Sequence, residues 1–135
     1  MHTPDSLEKA LLAARKIVGS TRPIYTVFGC GGNRDRTKRP VMGKIASELS
    51  DMVFITSDNP RFEEPMVIID EIKAGITKKN YSVIENRAEA IKTAIQKSED
   101  NAVILIAGKG HENYQEILGV KNHFSDKEIA EEYLI

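Results

Sequence analysis

The chain has 135 residues, with 19 Lys and Arg against 20 Asp and Glu for a formal net charge of -1. That length suits one domain able to bury a core without staples, and the single cysteine, Cys30, excludes a disulfide framework and a Cys-based zinc site. The balanced charge argues against nucleic-acid and membrane-surface binding, and no apolar run approaches the roughly 20 residues of a bilayer span or forms a signal-peptide core, so a soluble cytoplasmic protein is expected.

Met1 to Gly19 reads as a helix, capped by Thr3, with Pro4 in its first turn and Leu7, Leu11, Ala14 and Val18 on one face. Ile24 to Phe28 is a strand that runs into Gly29-Cys30-Gly31-Gly32 and then a basic loop, Asn33 to Pro40. A helix through Ala46 and Leu49 to about Asp51 leads to the short apolar strand Met52 to Ile55. That strand stops at Asp58-Asn59-Pro60-Arg61, because Pro60 has no ladder donor and biases Asn59 toward extended geometry.

After Glu63-Glu64-Pro65 comes a helix with Val67, Ile68, Ile72 and Ile76 inward, then the strand Tyr81 to Ile84. Asn86 and Glu89 make a capping pair for a helix carrying Ala90, Ile91, Ala94 and Ile95. Ala102 to Ala107 reads as the most buried strand of all, entering a second glycine loop, Gly108 to Glu112. Tyr114 to Leu118 and Asn122 to Phe124 pair as a hairpin around Gly119, and Ser125 with Glu128 caps a last helix carrying Ile129, Tyr133 and Leu134. Strands alternating with helices imply parallel βαβ units with right-handed crossovers. The expected fold is a Rossmann-like three-layer α/β sandwich, mostly parallel, with an antiparallel hairpin near the carboxyl end. Strand order is not readable.

Three loops therefore fall at carboxyl ends of strands, where open α/β sheets bind ligands. For Gly29 to Gly32 two readings stand: a phosphate cradle, or a strand-exit turn needing left-handed glycines. It does not match G-x-G-x-x-G, since position 34 is Arg. Arg34, Arg36, Lys38 and Arg39 against Asp35 make the next loop an anion binder or a solvated surface. Asp58 to Arg61 is either ordinary turn chemistry or a ligand contact. Gly108-Lys109-Gly110-His111-Glu112 is not a Walker loop, because no Ser or Thr follows Lys109. His111 reads more simply as structural, and no set of histidines suggests a metal site. Cys30, near arginines, is either a thiol of lowered pKa or a packed one. Together the loops mix Arg with Asp and Glu, which suits a ligand carrying both carboxylate and ammonium groups.

The segments Phe28 to Pro40, Asp58 to Pro65 and Ala107 to Glu112 closely resemble, in order and spacing, the carboxy-terminal domain of the Mur ligases. The likeness spans essentially the whole chain, 1–135, and is nearest to the branch that adds meso-diaminopimelate to UDP-N-acetylmuramoyl-L-alanyl-D-glutamate in peptidoglycan synthesis. The resemblance implies an ATP-dependent acid–amino-acid ligase working with magnesium through an acyl phosphate. It also implies that this domain receives the incoming amino acid. Arg34 then matches a carboxylate contact, Asp58, Asn59, Pro60 and Arg61 match the tetrapeptide that reads the side chain, and Gly108 and Glu112 match contacts of the second glycine loop. Assigned by charge, Arg34 and Arg61 clamp carboxylates, while Asp58 and Glu112 face ammonium groups. Diaminopimelate is lysine with one more carboxylate, which a guanidinium fork reads with two bonds.

The nucleotide loop and UDP-binding domain of that family are absent from this sequence, and its Tyr-Ala-His-Thr-Pro junction appears only as Met1-His2-Thr3-Pro4. The expectation is a monomeric fragment, inactive alone, whose missing domains hold ATP, magnesium and the UDP-linked dipeptide. His2, Lys38 and Arg39 are candidate contacts to nucleotide phosphates on domain closure; no metal ligand or catalytic residue is assigned. The alternative is a free-standing Rossmann-like module with phosphate on Gly29 to Gly32, and a purely structural domain is a third possibility.

Overall fold

A computed structural model describes residues 3–99, 101–108 and 114–134. In chain order the elements are α1 (Pro4–Val18), β1 (Ile24–Phe28), α2 (Lys38–Leu49), β2 (Met52–Ile55), α3 (Pro65–Lys73), β3 (Tyr81–Val83), α4 (Arg87–Lys97), β4 (Val103–Ile106), β5 (Tyr114–Ile117), β6 (Val120–His123) and α5 (Asp126–Tyr133). The first four strands make one parallel sheet in the order β3-β2-β1-β4.

Strand alternation divides the core into two layers. Ile24, Phe28, Val53, Ile55, Val103 and Leu105 pack with Leu7 and Leu11 of α1, Met42 and Ala46 of α2, and Ile69 and Ile72 of α3. Val27, Phe54, Ile104 and Ile106 pack with Ala90, Ile91 and Ala94 of α4 and Ile129 of α5. The three-layer sandwich is as expected. Strand order reverses between β1 and β4, so the loops leaving these strands flank the switch point where such sheets bind ligands.

Local signals hold at most helix ends. The side chains of Thr3, Asn86 and Ser125 accept from the amides of Ser6, Glu89 and Glu128, and Gly19 ends α1 with φ 71°. Four expectations need correction. Lys38, Arg39 and Pro40 belong to the first turn of α2 rather than to the loop, since Pro40 sits where helix amides have no intrahelical acceptor. In α3 the inward positions are Ile68, Ile69 and Ile72; Val67 faces solvent, and Ile76 lies beyond the helix, packed against the core from the following turn. β4 is an edge strand among the described residues and only partly buried, while β1 and β2 take the centre. An apolar run reports covered faces, and says nothing about how many edges are paired. Finally, the second strand of the hairpin is Val120–His123 rather than Asn122 to Phe124; the hairpin forms a separate two-stranded sheet, turning through Leu118 (φ 51°) and Gly119 (φ 81°), and its one bridge to another segment among the described residues is the parallel pairing of Arg61 with Ile117.

Candidate functional site

The glycine loop after β1 and the tetrapeptide after β2 are built as one unit. A methyl group on Gly32 would lie 1.8 Å from the Pro60 carbonyl oxygen, and one on Gly29 2.2 Å from that of Thr56. These glycines are needed for close approach of two backbones, not for left-handed geometry. The left-handed residues here are Asn33 (φ 54°) and Arg61 (φ 53°), which corrects the sequence expectation. The Gly32 amide donates to the Asn59 carbonyl at 2.7 Å, the Asn33 side chain accepts from the Phe62 amide at 3.2 Å, and the Asn33 amide donates to the Glu63 carboxylate.

The hairpin closes over the other side of the tetrapeptide. The Gln115 side-chain amide donates to the Asp58 carbonyl at 2.8 Å, and the Glu116 amide to the Asn59 side chain at 2.9 Å. The Arg61 amide donates to the Glu116 carbonyl at 3.0 Å, and Leu118 returns a bond to the Arg61 carbonyl at 2.7 Å. Asn59 and Pro60 are thereby buried as the scaffold of the loop. Asp58 and Arg61 are the two members of the tetrapeptide that line the adjoining cleft.

That cleft holds about 280 Å³ and is lined by the Gly29 to Gly31 loop, Arg34, Asp35, Lys38, Arg39, Asp58 and Arg61, with Thr3 and Met42 behind. Its charges are therefore mixed, as a zwitterionic ligand requires. Arg34 and Lys38 are exposed and available from the basic loop and the start of α2, while Asp58 is 2% exposed. Gly108, in left-handed geometry at φ 116°, brings the third loop in: a methyl there would stand 3.6 Å from an Asp58 carboxylate oxygen. Glu112 and His2 lie outside the described residues.

Arg39 is placed differently from the expectation of a phosphate contact. It is 1% exposed, and its guanidinium donates to the Glu63 carboxylate at 2.9 and 3.0 Å, to Glu71 at 2.9 Å and to the Gly31 carbonyl at 3.0 Å. Burial pulls its pKa down, but the bonds to Glu63 and Glu71 outweigh this and raise it. In return, the hydrogen bond from Arg39 holds Glu63 below the usual carboxylate range, and that from Arg36 does the same for Glu71. This network fastens the glycine loop to α2 and α3. Cys30 is a packed thiol, its sulfur 3.7 Å from that of Met42. Burial pushes its pKa up to about 12, with Arg39 offsetting only part.

The phosphate reading of the glycine loop loses its physical basis. α2 starts six positions after Gly32, its Lys38 and Arg39 amides donate to the Asp35 and Arg36 carbonyls, and the Asp35 carboxylate stands just before it, accepting from the Thr37 amide at 3.0 Å and hydroxyl at 2.6 Å. Those two bonds hold the Asp35 pKa low.

Two residues that sequence reasoning missed complete the site. Glu116 of β5 faces Arg61, with Oε1 3.4 Å from Nε. Arg87, fully buried at the start of α4, forms a bidentate pair with Asp126 of α5, both contacts at 2.7 Å, and donates to the Ala107 carbonyl at 3.0 Å and that of Ser57 at 3.3 Å. It ties together the residues just before Asp58 and Gly108. The signal was present: Arg87 precedes Ala90, Ile91 and Ala94 at helical spacing, so a cation sits on the apolar face. Nothing local flags Glu116, whose partner lies 55 positions earlier.

Comparison with known proteins bears on this arrangement. The family described as "Mur ligase, glutamate ligase domain" matches residues 1–110. A UDP-N-acetylmuramoyl-L-alanyl-D-glutamate--2,6-diaminopimelate ligase of Chlorobaculum tepidum is 55% identical over 96% of this chain and 26% of its own length. A second protein so named (ligase 1), from Clostridium acetobutylicum, is 55% identical over 98% of this chain and 27% of its own. A solved structure of a UDP-N-acetylmuramoyl-L-alanyl-D-glutamate--2,6-diaminopimelate ligase superposes with a TM-score of 0.91 at 41% identity, covering 98% of this chain and 27% of that one. The chain thus spans about a quarter of the length of the relatives it matches.

Proposed function

This chain belongs to the Mur ligase family as its glutamate ligase domain, and from that premise we propose that it receives meso-diaminopimelate for an ATP-dependent acid–amino-acid ligase of peptidoglycan synthesis. The observation that carries the reading is one cleft into which Arg34, Lys38, Asp58 and Arg61 converge from separate segments. Diaminopimelate has an amino-acid group at each end, so it needs cations for two carboxylates and anions for two ammonium groups. Arg34 and Arg61 take the carboxylates, and Asp58, with Glu112, takes ammonium. Asn59, Pro60 and Gly108 shape the site through backbone and packing.

Positioning is the contribution of this domain to amide formation: it holds the nucleophilic amine and reads the far end of the same molecule. Among the described residues no set is built to hold ATP and magnesium. Arg39 is consumed by Glu63 and Glu71, Asp35 places a carboxylate just before α2, and no Walker lysine–hydroxyl pair exists in the sequence. Those ligands and the UDP-linked dipeptide fall to the remainder of the ligase, and Lys38 is the described residue left to approach a phosphate. A free phosphate-binding module is disfavoured by the engaged Gly32 amide.

The test uses the full-length ligase that carries this domain. Arg61→Ala is expected to cost roughly 2–5 kcal/mol in kcat/KM for meso-diaminopimelate, the range for truncating one side of a buried charge pair. L-Lysine, lacking the distal carboxylate, should be affected far less. Undiminished preference for diaminopimelate over lysine in that variant would overturn the reading.

A further inference from the structure

Arg61 is already engaged before any substrate is considered. Its Nη1 donates to the Gly32 carbonyl at 2.9 Å and lies 3.4 Å from that of Asn59, while its Nε faces the Glu116 carboxylate at 3.4 Å. Both side chains are mostly shielded, at 16% and 21% exposure. Glu116 is not there by chance rotamer alone. Its amide and carbonyl are both bonded to the tetrapeptide, so β5 registers its Cα beside Arg61.

A guanidinium offers a carboxylate two edges, Nε with Nη2 and Nη1 with Nη2. Along the second, Gly32 is backbone held in place by its own bond to Asn59. The first is occupied by a side chain that can rotate away. A substrate carboxylate seeking two bonds therefore displaces Glu116.

We infer that Glu116 is a specificity-determining residue: it is an internal surrogate for the distal carboxylate of the substrate, and it limits how strongly the site rejects lysine. This rests on the role proposed for Arg61. Without Glu116, lysine would leave a shielded cation unpaired, the situation in which sites reject an analogue by on the order of ten-thousand-fold. With Glu116, a lysine-bound site keeps Arg61 paired, whereas diaminopimelate exchanges one carboxylate for another. Both effects narrow the gap between the two substrates.

The experiment compares the full-length ligase with its Glu116→Gln variant, an isosteric change that keeps the β5 backbone bonds. KM and kcat/KM are measured for meso-diaminopimelate and L-lysine, with and without Arg61→Ala. A partly shielded ion pair is worth a factor of about three to five, so KM for diaminopimelate should fall about that much and lysine should gain nothing. In the Arg61→Ala background the effect of Glu116→Gln should vanish. A higher or unchanged KM for diaminopimelate overturns the surrogate role, the first meaning that Glu116 instead receives a substrate ammonium group. Equal gains for both substrates, or a gain that survives Arg61→Ala, also overturn it. The reading of Arg61 is judged separately: Arg61→Ala alone must lose the preference for diaminopimelate, whatever Glu116→Gln does.

Discussion

Gly31 and Gly32 are neighbours whose replacement by alanine should fail in different ways. At Gly32 the new methyl would lie 1.8 Å from the Pro60 carbonyl oxygen, a backbone atom held between Asn59 and Arg61. Relief needs the two loops to part by roughly 1 Å or more, since Cβ atoms essentially never approach closer than 3.0 Å. That movement breaks the 2.7 Å bond from the Gly32 amide to Asn59 and the 2.9 Å bond from Arg61 to the Gly32 carbonyl. Two shielded hydrogen bonds at about 1–2 kcal/mol each put Gly32→Ala at about 2–4 kcal/mol of lost stability. At Gly31 the methyl would meet Nη1 of Arg61 at 2.8 Å, the far end of a long side chain that needs to shift by only a few tenths of an ångström and can keep its bond to Gly32. Gly31→Ala should cost less than about 1 kcal/mol of stability. Its penalty should appear as a raised KM for diaminopimelate. Urea denaturation of this 135-residue chain measures the first quantity, and steady-state kinetics of the full-length ligase the second. Wild-type stability in Gly32→Ala, or equal stability losses at both positions, would refute close approach as the reason for these glycines.

Other expectations test the supports of the site. Asp126→Ala leaves the fully buried Arg87 without its bidentate partner and should cost about 3–5 kcal/mol by urea denaturation; a loss below about 1 kcal/mol would show that the Ser57 and Ala107 carbonyls suffice. Glu63 and Glu71 have folded-state pKa values below the ordinary 4.5, so their contribution to stability is complete above that pH and is lost as pH falls through the lowered values. A Glu63→Gln, Glu71→Gln double variant should therefore be less stable near neutrality and lose less on acidification, seen as a flatter acid limb in thermal melts. Cys30, with its pKa pushed up to about 12 by burial, should react with a disulfide reagent at about pH 8 far more slowly in the native chain than in urea; equal rates would contradict its packing.

The sequence by itself determined the layers and most helix ends. Apolar periodicity distinguished strand from helix, and Thr3, Asn86 and Ser125 fixed where helices start, because these signals act over a few residues. Sequence likeness also marked Arg34 and the tetrapeptide. Tertiary structure decided which marked residues face the cleft, because facing depends on partners far along the chain. Asn59 turned inward to bond Glu116, Arg39 was claimed by Glu63 and Glu71, and Pro60 set the spacing that only Gly32 tolerates. It also decided what stands behind the site. Arg87 and Asp126 are 39 positions apart, and Arg61 and Glu116 meet only because the hairpin folds back over the loop after β2. Short-range chemistry can be read from neighbouring letters, but a charge pair closed by the fold becomes visible only when the chain has brought its ends together.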